Sequence, residues 1–184
     1  MKKLALFDLD GTLFDTNDVN YYAYKDALAA IGRENLDYEF FRQKCNGRHY
    51  TYFLPLLGVN KTEEMEKVHI IKKQQYAVHL DKARVNTHLF MMIQGMSNYS
   101  KVIVTTASRK NAQEILEFYH VADQFDDLFS QEDISKPKPD PEGFLLAMER
   151  YNMTAHNTII FEDSEVGIEA AMVTGATVIK IMQF

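Results

Sequence analysis

The chain has 184 residues, enough for one α/β domain with a modest insertion, and ordinary globular proportions of apolar and charged residues. Its formal net charge of −6 and the lack of Lys/Arg-rich runs argue against a broad nucleic-acid-binding surface. Cys45 is the single cysteine, so an internal disulfide is excluded. No stretch approaches the roughly 20 apolar residues of a membrane helix, and Asp8 interrupts the N-terminal apolar run too early for a signal peptide. We therefore expect a cytoplasmic protein without membrane or nucleic-acid partners.

The first predicted strand is the most informative segment. Apolar residues from Leu4 to Phe7 lead into two carboxylates, Asp8 and Asp10, and then into Gly11. If the strand continues to Asp10, both carboxylates lie on the same side of it. Two like charges so close raise each other's pKa unless a cation or a shared proton relieves them. The pair indicates a metal site, or a nucleophile beside a general acid/base. Taken alone, it also fits an ordinary strand-to-turn connection.

Strand and helix signals alternate in the C-terminal half of the chain. Apolar, β-branched runs predict strands at 101–106, 158–161 and 177–181, with a weaker edge strand at 127–129. Between them, helices are predicted at 109–119, 141–151 and 165–174. This order predicts an α/β fold, a Rossmann-like parallel sheet core with right-handed crossovers.

Residues 16–83 lack this alternation and read as successive helices. The predicted helices are 17–31, 38–44, 49–57 and 62–80. We interpret them as an α-helical cap domain inserted after the first strand, with residues 1–15 and 84–184 forming the α/β catalytic core. Ligands of open α/β sheets bind at the C-terminal edge of the strands, so we expect the cap to cover that edge.

Four polar segments follow predicted strands and are expected to meet in one crevice. They are 8–10, 105–108, 135–140 and 161–164. Together they offer carboxylates, hydroxyls, an ammonium group and backbone N–H groups, which suit phosphoryl transfer through an acyl phosphate.

The residue types suggest a division of roles within this crevice. Asp8 is predicted to attack phosphorus, and Asp10 to exchange protons with the leaving oxygen and the attacking water. Thr106, favoured over Thr105, and the backbone of Ala107 are predicted to bind the phosphate. Lys136 is predicted to supply a fixed positive charge. We expect the second lysine of that segment, Lys138, to be solvated.

A magnesium ion is predicted at the acidic cluster of Asp8, Asp10, Glu162 and Asp163. Four carboxylates would otherwise repel an anionic substrate. The alternative for Glu162 and Asp163 is helix capping, since acidic residues are favourable at a helix N-terminus.

These motifs together resemble the haloacid dehalogenase superfamily, in particular its phosphatases with a helical cap after the first strand. The resemblance spans essentially the whole chain and is carried by Asp8-x-Asp10-Gly-Thr, Thr106, Lys136-Pro-x-Pro-Asp and Glu162-Asp163. It implies a phosphoaspartate on Asp8. It also implies Mg²⁺ held by the Asp8 side chain, the Asp10 carbonyl oxygen and Asp163, with Glu162 nearby.

The preferred function is hydrolysis of a small phosphorylated metabolite, and two alternatives stay open. A sugar-phosphate mutase of the beta-phosphoglucomutase kind has the same core motifs, but carries a histidine where this chain has Asn20. A receiver-like phosphoacceptor domain also uses clustered acids, a threonine and a lysine, but lacks a helical insertion. In the predicted cap, Arg48 is a candidate substrate contact or simply a solvated loop residue. We expect a monomer or a weak homodimer.

Overall fold

The computed structural model describes residues 2–45, 48–182 and 184. The strands in this part of the chain are β1 (Lys3–Phe7), β2 (Phe14–Asp15), β3 (Arg84–Val85), β4 (Tyr99–Val104), β5 (Asp127–Phe129), β6 (Thr158–Glu162) and β7 (Thr177–Lys180). The α-helices are α1 (Asn17–Ala29), α2 (Tyr38–Phe40), α3 (Tyr50–Phe53), α4 (Thr62–Gln75), α5 (Thr87–Gly95), α6 (Arg109–Phe118), α7 (Glu142–Arg150) and α8 (Glu165–Val173). None of the helices in the described ranges is long and apolar enough to cross a membrane.

Five strands form one parallel sheet in the order β5-β4-β1-β6-β7. The central strand β1 is buried from Leu4 to Phe7, as expected for an apolar strand with helices on both faces of its sheet. The α/β fold with a parallel sheet core is therefore confirmed, and the weak strand β5 lies at the sheet edge as predicted.

The chain divides into two compact units. Unit 1 comprises Met1–Asp15 and Arg84–Phe184, and unit 2 comprises Thr16–Ala83. In unit 1, side chains from β1, β4 and β6 pack against α7, with Leu6, Val104, Phe144 and Ile160 almost wholly excluded from solvent. This packing fixes the strand ends from which the candidate site is built.

A short antiparallel ladder, which the sequence did not predict, joins β2 to β3 within unit 1. Phe14 pairs with Val85, and Asp15 pairs with Arg84. The Arg84 guanidinium also donates a hydrogen bond to the Asp15 carboxylate. The two chain segments that border residues 16–83 are thus hydrogen-bonded to each other.

Unit 2 is helical, but three of its predicted helices change type along their length. The segment after α2 is a π-helical turn, Phe41–Cys45. The segment after α3 is a 3₁₀ turn, Leu54–Leu57, which contains Pro55 and therefore lacks one backbone donor. Helix α4 ends at Gln75, and a 3₁₀ segment follows at Tyr76–Lys82. The helices enclose an aromatic core that includes Tyr24, a residue of α1.

Candidate active site

The site lies where β1 and β6 end beside each other. Phe7 pairs with Phe161 in the sheet, and the Asp8 N–H donates to the Phe161 carbonyl at 3.0 Å. Asp8 is therefore held by backbone pairing immediately beside Glu162 and Asp163. The sequence predicted this meeting of segments, because parallel strands end at one edge of a sheet.

Asp8 and Asp10 are separated by a turn and not by strand alternation. Strand β1 ends at Phe7, and the N–H groups of Leu13 and Phe14 both donate to the Leu9 carbonyl. The strand does not continue to Asp10, so the prediction that Asp8 and Asp10 lie on one face of it does not apply. Asp8 is buried, while Asp10, in the turn that follows, is partly exposed.

Gly11 is required at this turn for two reasons. Its φ is +90°, in the region that side-chain-bearing residues rarely adopt. A Cβ at this position would also lie 2.2 Å from Asp163 Oδ2. The turn after Asp8 therefore packs directly onto the second acidic segment, and only glycine permits that approach.

Three carboxylates converge in a small volume. One oxygen from each of Asp8, Glu162 and Asp163 lies within 4.8 Å of the other two. Burial and the nearby Glu162 carboxylate raise the pKa of Asp8 well above its usual value, although Lys138 acts in the opposite direction. Burial and Glu162 also raise the pKa of Asp163 to about 6. The cluster thus holds more negative charge than its protein neighbours neutralise.

Lys138 is the cation of this cluster, which corrects the predicted lysine. Its Nζ lies 2.5 Å from Asp8 Oδ1, 2.7 Å from Glu162 Oε2 and 3.3 Å from the Val104 carbonyl oxygen. Its side chain is only 9% exposed. Burial alone would lower the pKa of Lys138, but attraction to Asp8 and Glu162 outweighs it and raises that pKa.

Lys136, which the sequence analysis assigned to the phosphate site, is 72% exposed and lies 4.0 Å from the carboxylate of Asp140. The expectation that Lys138 is solvated is wrong, because its side chain is buried between the carboxylates of Asp8 and Glu162. The segment contains two overlapping Lys-Pro-x-Pro patterns, one starting at Lys136 and one at Lys138. The lysine of the second pattern lies in the acidic cluster, where its amine is also 5.0 Å from the centre of the Phe144 ring on α7.

Glu162 is wholly buried and fully hydrogen-bonded. Its Oε1 accepts from the Asp163 N–H, the Ser164 N–H and the Ser164 hydroxyl, and its Oε2 accepts from Lys138. Ser164 also caps α8, because its hydroxyl accepts from the Gly167 N–H. The observed role of Glu162 is to hold Lys138 and the loop that carries Asp163.

Asp163 has a hydroxyl partner from the β1 turn. The Thr12 hydroxyl, which has no solvent exposure, donates to Asp163 Oδ1 at 3.0 Å. Thr12 belongs to the Asp-x-Asp-Gly-Thr motif, but no role was predicted for its side chain. The motif itself was the signal, since a buried threonine next to acids needs a polar partner.

The predicted phosphate-binding residues after β4 occupy different environments. Thr105 is buried, and its hydroxyl accepts from the Ala107 N–H at 3.0 Å. The Ala107 N–H is therefore engaged, and it would have to exchange this hydrogen bond in order to bind phosphate. The Thr106 side chain is exposed. Phosphate binding by Thr106 remains a prediction.

Arg48 lies in unit 2, and its side chain is exposed. Its backbone N–H donates to the Cys45 carbonyl. The preceding residues of the predicted loop, Asn46 and Gly47, lie outside the described residues. Substrate contact by Arg48 remains a prediction.

The acidic cluster fits a hard divalent cation. Its donors are carboxylate oxygens, the ligands that Mg²⁺ and Ca²⁺ prefer. Burial first, and then the neighbouring Glu162 carboxylate, raise the pKa of both Asp8 and Asp163, and a bound cation would offset both effects. The amine of Lys138 balances only one of the three carboxylates.

Comparison with known proteins assigns the family. Residues 5–181 match the haloacid dehalogenase-like hydrolase family, and the chain belongs to it. It is an enzyme of the hydrolase class, as the motifs predicted.

Relatives extend over most of this chain. A phosphorylated carbohydrates phosphatase of Thermotoga maritima is 28% identical over 93% of this chain and 81% of its own length. A beta-phosphoglucomutase of Bacillus subtilis is 25% identical over 98% of this chain and 84% of its own. The crystal structure of CbbY from Rhodobacter sphaeroides in complex with phosphate superposes with a TM-score of 0.81 at 21% identity, covering 100% of this chain and 88% of that one. The Thermotoga maritima relative supports the predicted phosphatase class, and the structural match supports the fold.

Proposed function

We propose that this hydrolase is a magnesium-dependent phosphatase that acts on a small phosphomonoester through a phosphoaspartate on Asp8. The observation that carries the proposal is the environment of the Asp8 carboxylate. It lies at a strand end, 2.5 Å from the Lys138 amine and beside two further acids. Such a site concentrates both signs of charge around one potential nucleophile.

In the first step, an Asp8 carboxylate oxygen attacks phosphorus and forms the acyl phosphate. The bond between phosphorus and the ester oxygen breaks, and Asp10 gives that oxygen a proton. Lys138 stabilises the charge that develops on the transferring group, because its ammonium is already fixed beside Asp8. Thr106 donates a hydrogen bond to a phosphoryl oxygen.

In the second step, water attacks the phosphorus of the acyl phosphate. Asp10, now ionised, accepts a proton from that water, and the bond between Asp8 and phosphorus breaks. Inorganic phosphate leaves and both carboxyl groups return to their starting states. The partial exposure of Asp10 suits this role, because a general acid/base must exchange protons with substrate and solvent.

The magnesium ion would be held by the carboxylates of Asp8 and Asp163 and by the carbonyl oxygen of Asp10. Glu162 would position these ligands rather than bind the ion itself, since its oxygens accept hydrogen bonds from Lys138 and from the loop that carries Asp163. When bound, the ion supplies positive charge that lets an anionic substrate enter a cluster of carboxylates.

We also propose that unit 1 is the catalytic core and unit 2 is a cap that selects the substrate, with Arg48 as a contact for phosphate or carboxylate. The Thermotoga maritima relative acts on phosphorylated carbohydrates according to its name, which makes sugar phosphates the first class to test.

Sugar-phosphate mutase activity is a second candidate, because the Bacillus subtilis relative is a beta-phosphoglucomutase. Hydrolysis remains preferred. Asn20 stands where those mutases carry a histidine, and its amide donates to the Thr16 carbonyl and hydroxyl oxygens. An amide cannot exchange protons as an imidazole does.

The proposal is tested with a generic aryl phosphate in the presence and absence of Mg²⁺. Asp8→Asn should lose activity by at least about 10⁴-fold, since the nucleophile is removed. The matched control is Asp123→Asn, an exposed aspartate of the same unit, which should retain full activity. An active Asp8→Asn variant, or wild-type protein inactive towards every phosphomonoester in a panel of sugar phosphates, phosphoglycolate and nucleotides, would contradict the proposal.

A further inference from the structure

Gly167, in the first turn of α8, lies directly against the carboxylate of Glu162. A Cβ at position 167 would be 2.1 Å from Glu162 Cδ, 2.2 Å from Oε2 and 2.5 Å from Oε1. Carbon atoms in contact normally lie about 3.5–4.0 Å apart, so no side chain can share this space with the carboxylate.

The backbone gives no separate reason for glycine at this position. Gly167 lies within a regular helix and does not have a positive φ. Glycine is a poorer helix former than alanine, so its presence here disfavours the helix. The space taken by the Glu162 carboxylate is the feature that excludes a larger residue.

The Glu162 carboxylate cannot simply move aside. It is wholly buried, and both of its oxygens are hydrogen-bonded. An added methyl group at position 167 would displace it from the Lys138 amine and from the Ser164 hydroxyl together. Lys138 would then lose one of its two carboxylate partners and the restraint that holds it beside Asp8.

We propose that Gly167 is a positioning residue: its missing side chain makes room for Glu162, which holds the Lys138 amine against Asp8. The catalytic consequence rests on the proposed phosphatase function, whereas the structural link between Gly167 and Lys138 does not.

The structural link is tested by amine acetylation of the metal-free protein. In the wild type, a water-soluble acetylating reagent should modify the exposed Lys136 and spare the buried Lys138. In Gly167→Ala, Lys138 should react at least about tenfold faster, because it loses burial and a carboxylate that holds its proton. Lys136 in the same peptide serves as the internal control, and Gly95→Ala controls for a helix glycine with open space around it. Unchanged protection of Lys138 in folded Gly167→Ala overturns the proposal.

The catalytic consequence is tested with Mg²⁺ and an aryl phosphate. Gly167→Ala should lower kcat by about 100-fold and change KM much less, as loss of one preorganised charge typically does. Glu162→Asp provides the specific test, since it shortens the displaced side chain by one methylene. Glu162→Asp alone should be less active than the wild type, whereas the Gly167→Ala/Glu162→Asp double variant should be more active than Gly167→Ala. Equal losses in both backgrounds overturn the proposal.

Two further outcomes separate the possible failures. If Gly167→Ala does not fold, the double variant should fold and retain activity, and a double variant that also fails overturns the inference. If the wild type hydrolyses no phosphomonoester, the proposed function fails, while the acetylation of Lys138 still decides whether Gly167 positions this lysine.

Discussion

The two units place ionisable side chains in the interior in opposite ways. Unit 1 buries charges together, with Lys138 between the carboxylates of Asp8 and Glu162. Unit 2 instead packs His69 against the Tyr50 ring at 4.2 Å. The His69 Nδ1 atom is buried and has no hydrogen-bond partner among the described residues.

This difference gives the units opposite responses to pH. In unit 1, burial and like charge raise the pKa of Asp163 to about 6. In unit 2, burial lowers the pKa of His69 to about 4, with further lowering from Lys73, Lys72 and His49. Unit 1 therefore tolerates protonation of its acids, whereas unit 2 is disturbed by protonation of its histidine. The accumulation of like charge in unit 1 supports the proposed cation site.

The largest expected effect comes from removing the buried cation. Lys138→Met should lower activity by about 100–1,000-fold, because the Asp8 site loses its fixed positive charge. It should also lower the free energy of unfolding at pH 7 by about 3 kcal/mol, since two buried carboxylates lose their partner. Steady-state kinetics and urea titration measure these changes. Lys136→Met is the matched control and should change neither the activity nor the free energy of unfolding. An equal loss of activity in both variants would restore Lys136 as the candidate for the fixed positive charge.

The next effect concerns the acids of unit 1 in the absence of metal. A carboxyl group with a raised pKa favours the folded state when protonated. Its stabilisation is therefore complete below pH 3.8 and is lost as pH rises through about 6. The free energy of unfolding of the metal-free wild type should fall by about 2 kcal/mol relative to Asp163→Asn between pH 4 and pH 7.

Magnesium should reverse that loss at pH 7.5 and do much less at pH 5, where protons compete for the same oxygens. Thermal unfolding with and without a chelator measures both effects. A magnesium-induced rise in Tm that is equal at both pH values would contradict the metal assignment.

The smallest effect is expected in unit 2. A histidine with a lowered pKa stabilises the fold above its unfolded value near 6.5, and this contribution is lost as pH falls towards 4. Because His69 is about half buried, solvent screening limits the loss to about 1 kcal/mol. His69→Phe keeps a ring beside Tyr50 and should remove this dependence. Hydrogen-exchange protection factors of α4 amides at pH 7 and pH 5 provide the measurement. If the pH dependence persists in His69→Phe, a group other than His69 causes it.

The sheet and the location of the site were predictable because they depend on local signals. Apolar runs such as 101–106 mark the strands, and strand order places their polar ends together. The choice between Lys136 and Lys138 was not predictable in this way. Both lysines satisfy the same pattern, and the contact of Lys138 with Phe144 exists only in three dimensions.

Two other features escaped sequence reasoning for related reasons. The hydrogen bond between Thr12 and Asp163 joins residues 151 positions apart, so no spacing rule reveals it. In unit 2, the helical pattern at 38–44 predicted an α-helix, whereas the chain adopts a π-helical turn at Phe41–Cys45. Hydrophobic periodicity does not distinguish these backbone forms over so few residues.

The ladder between β2 and β3 has a consequence for how this chain can be rebuilt. Asp15 and Arg84 are paired neighbours, so the start and the end of the intervening 16–83 segment leave unit 1 side by side. Opposite residues of an antiparallel pair lie about 4.5–5.5 Å apart, a gap that a two-residue Asn-Gly turn closes. We therefore expect that an Asn-Gly turn between Asp15 and Arg84 can replace residues 16–83, and that a different insert can be grafted between the same two residues without altering the order of the parallel strands.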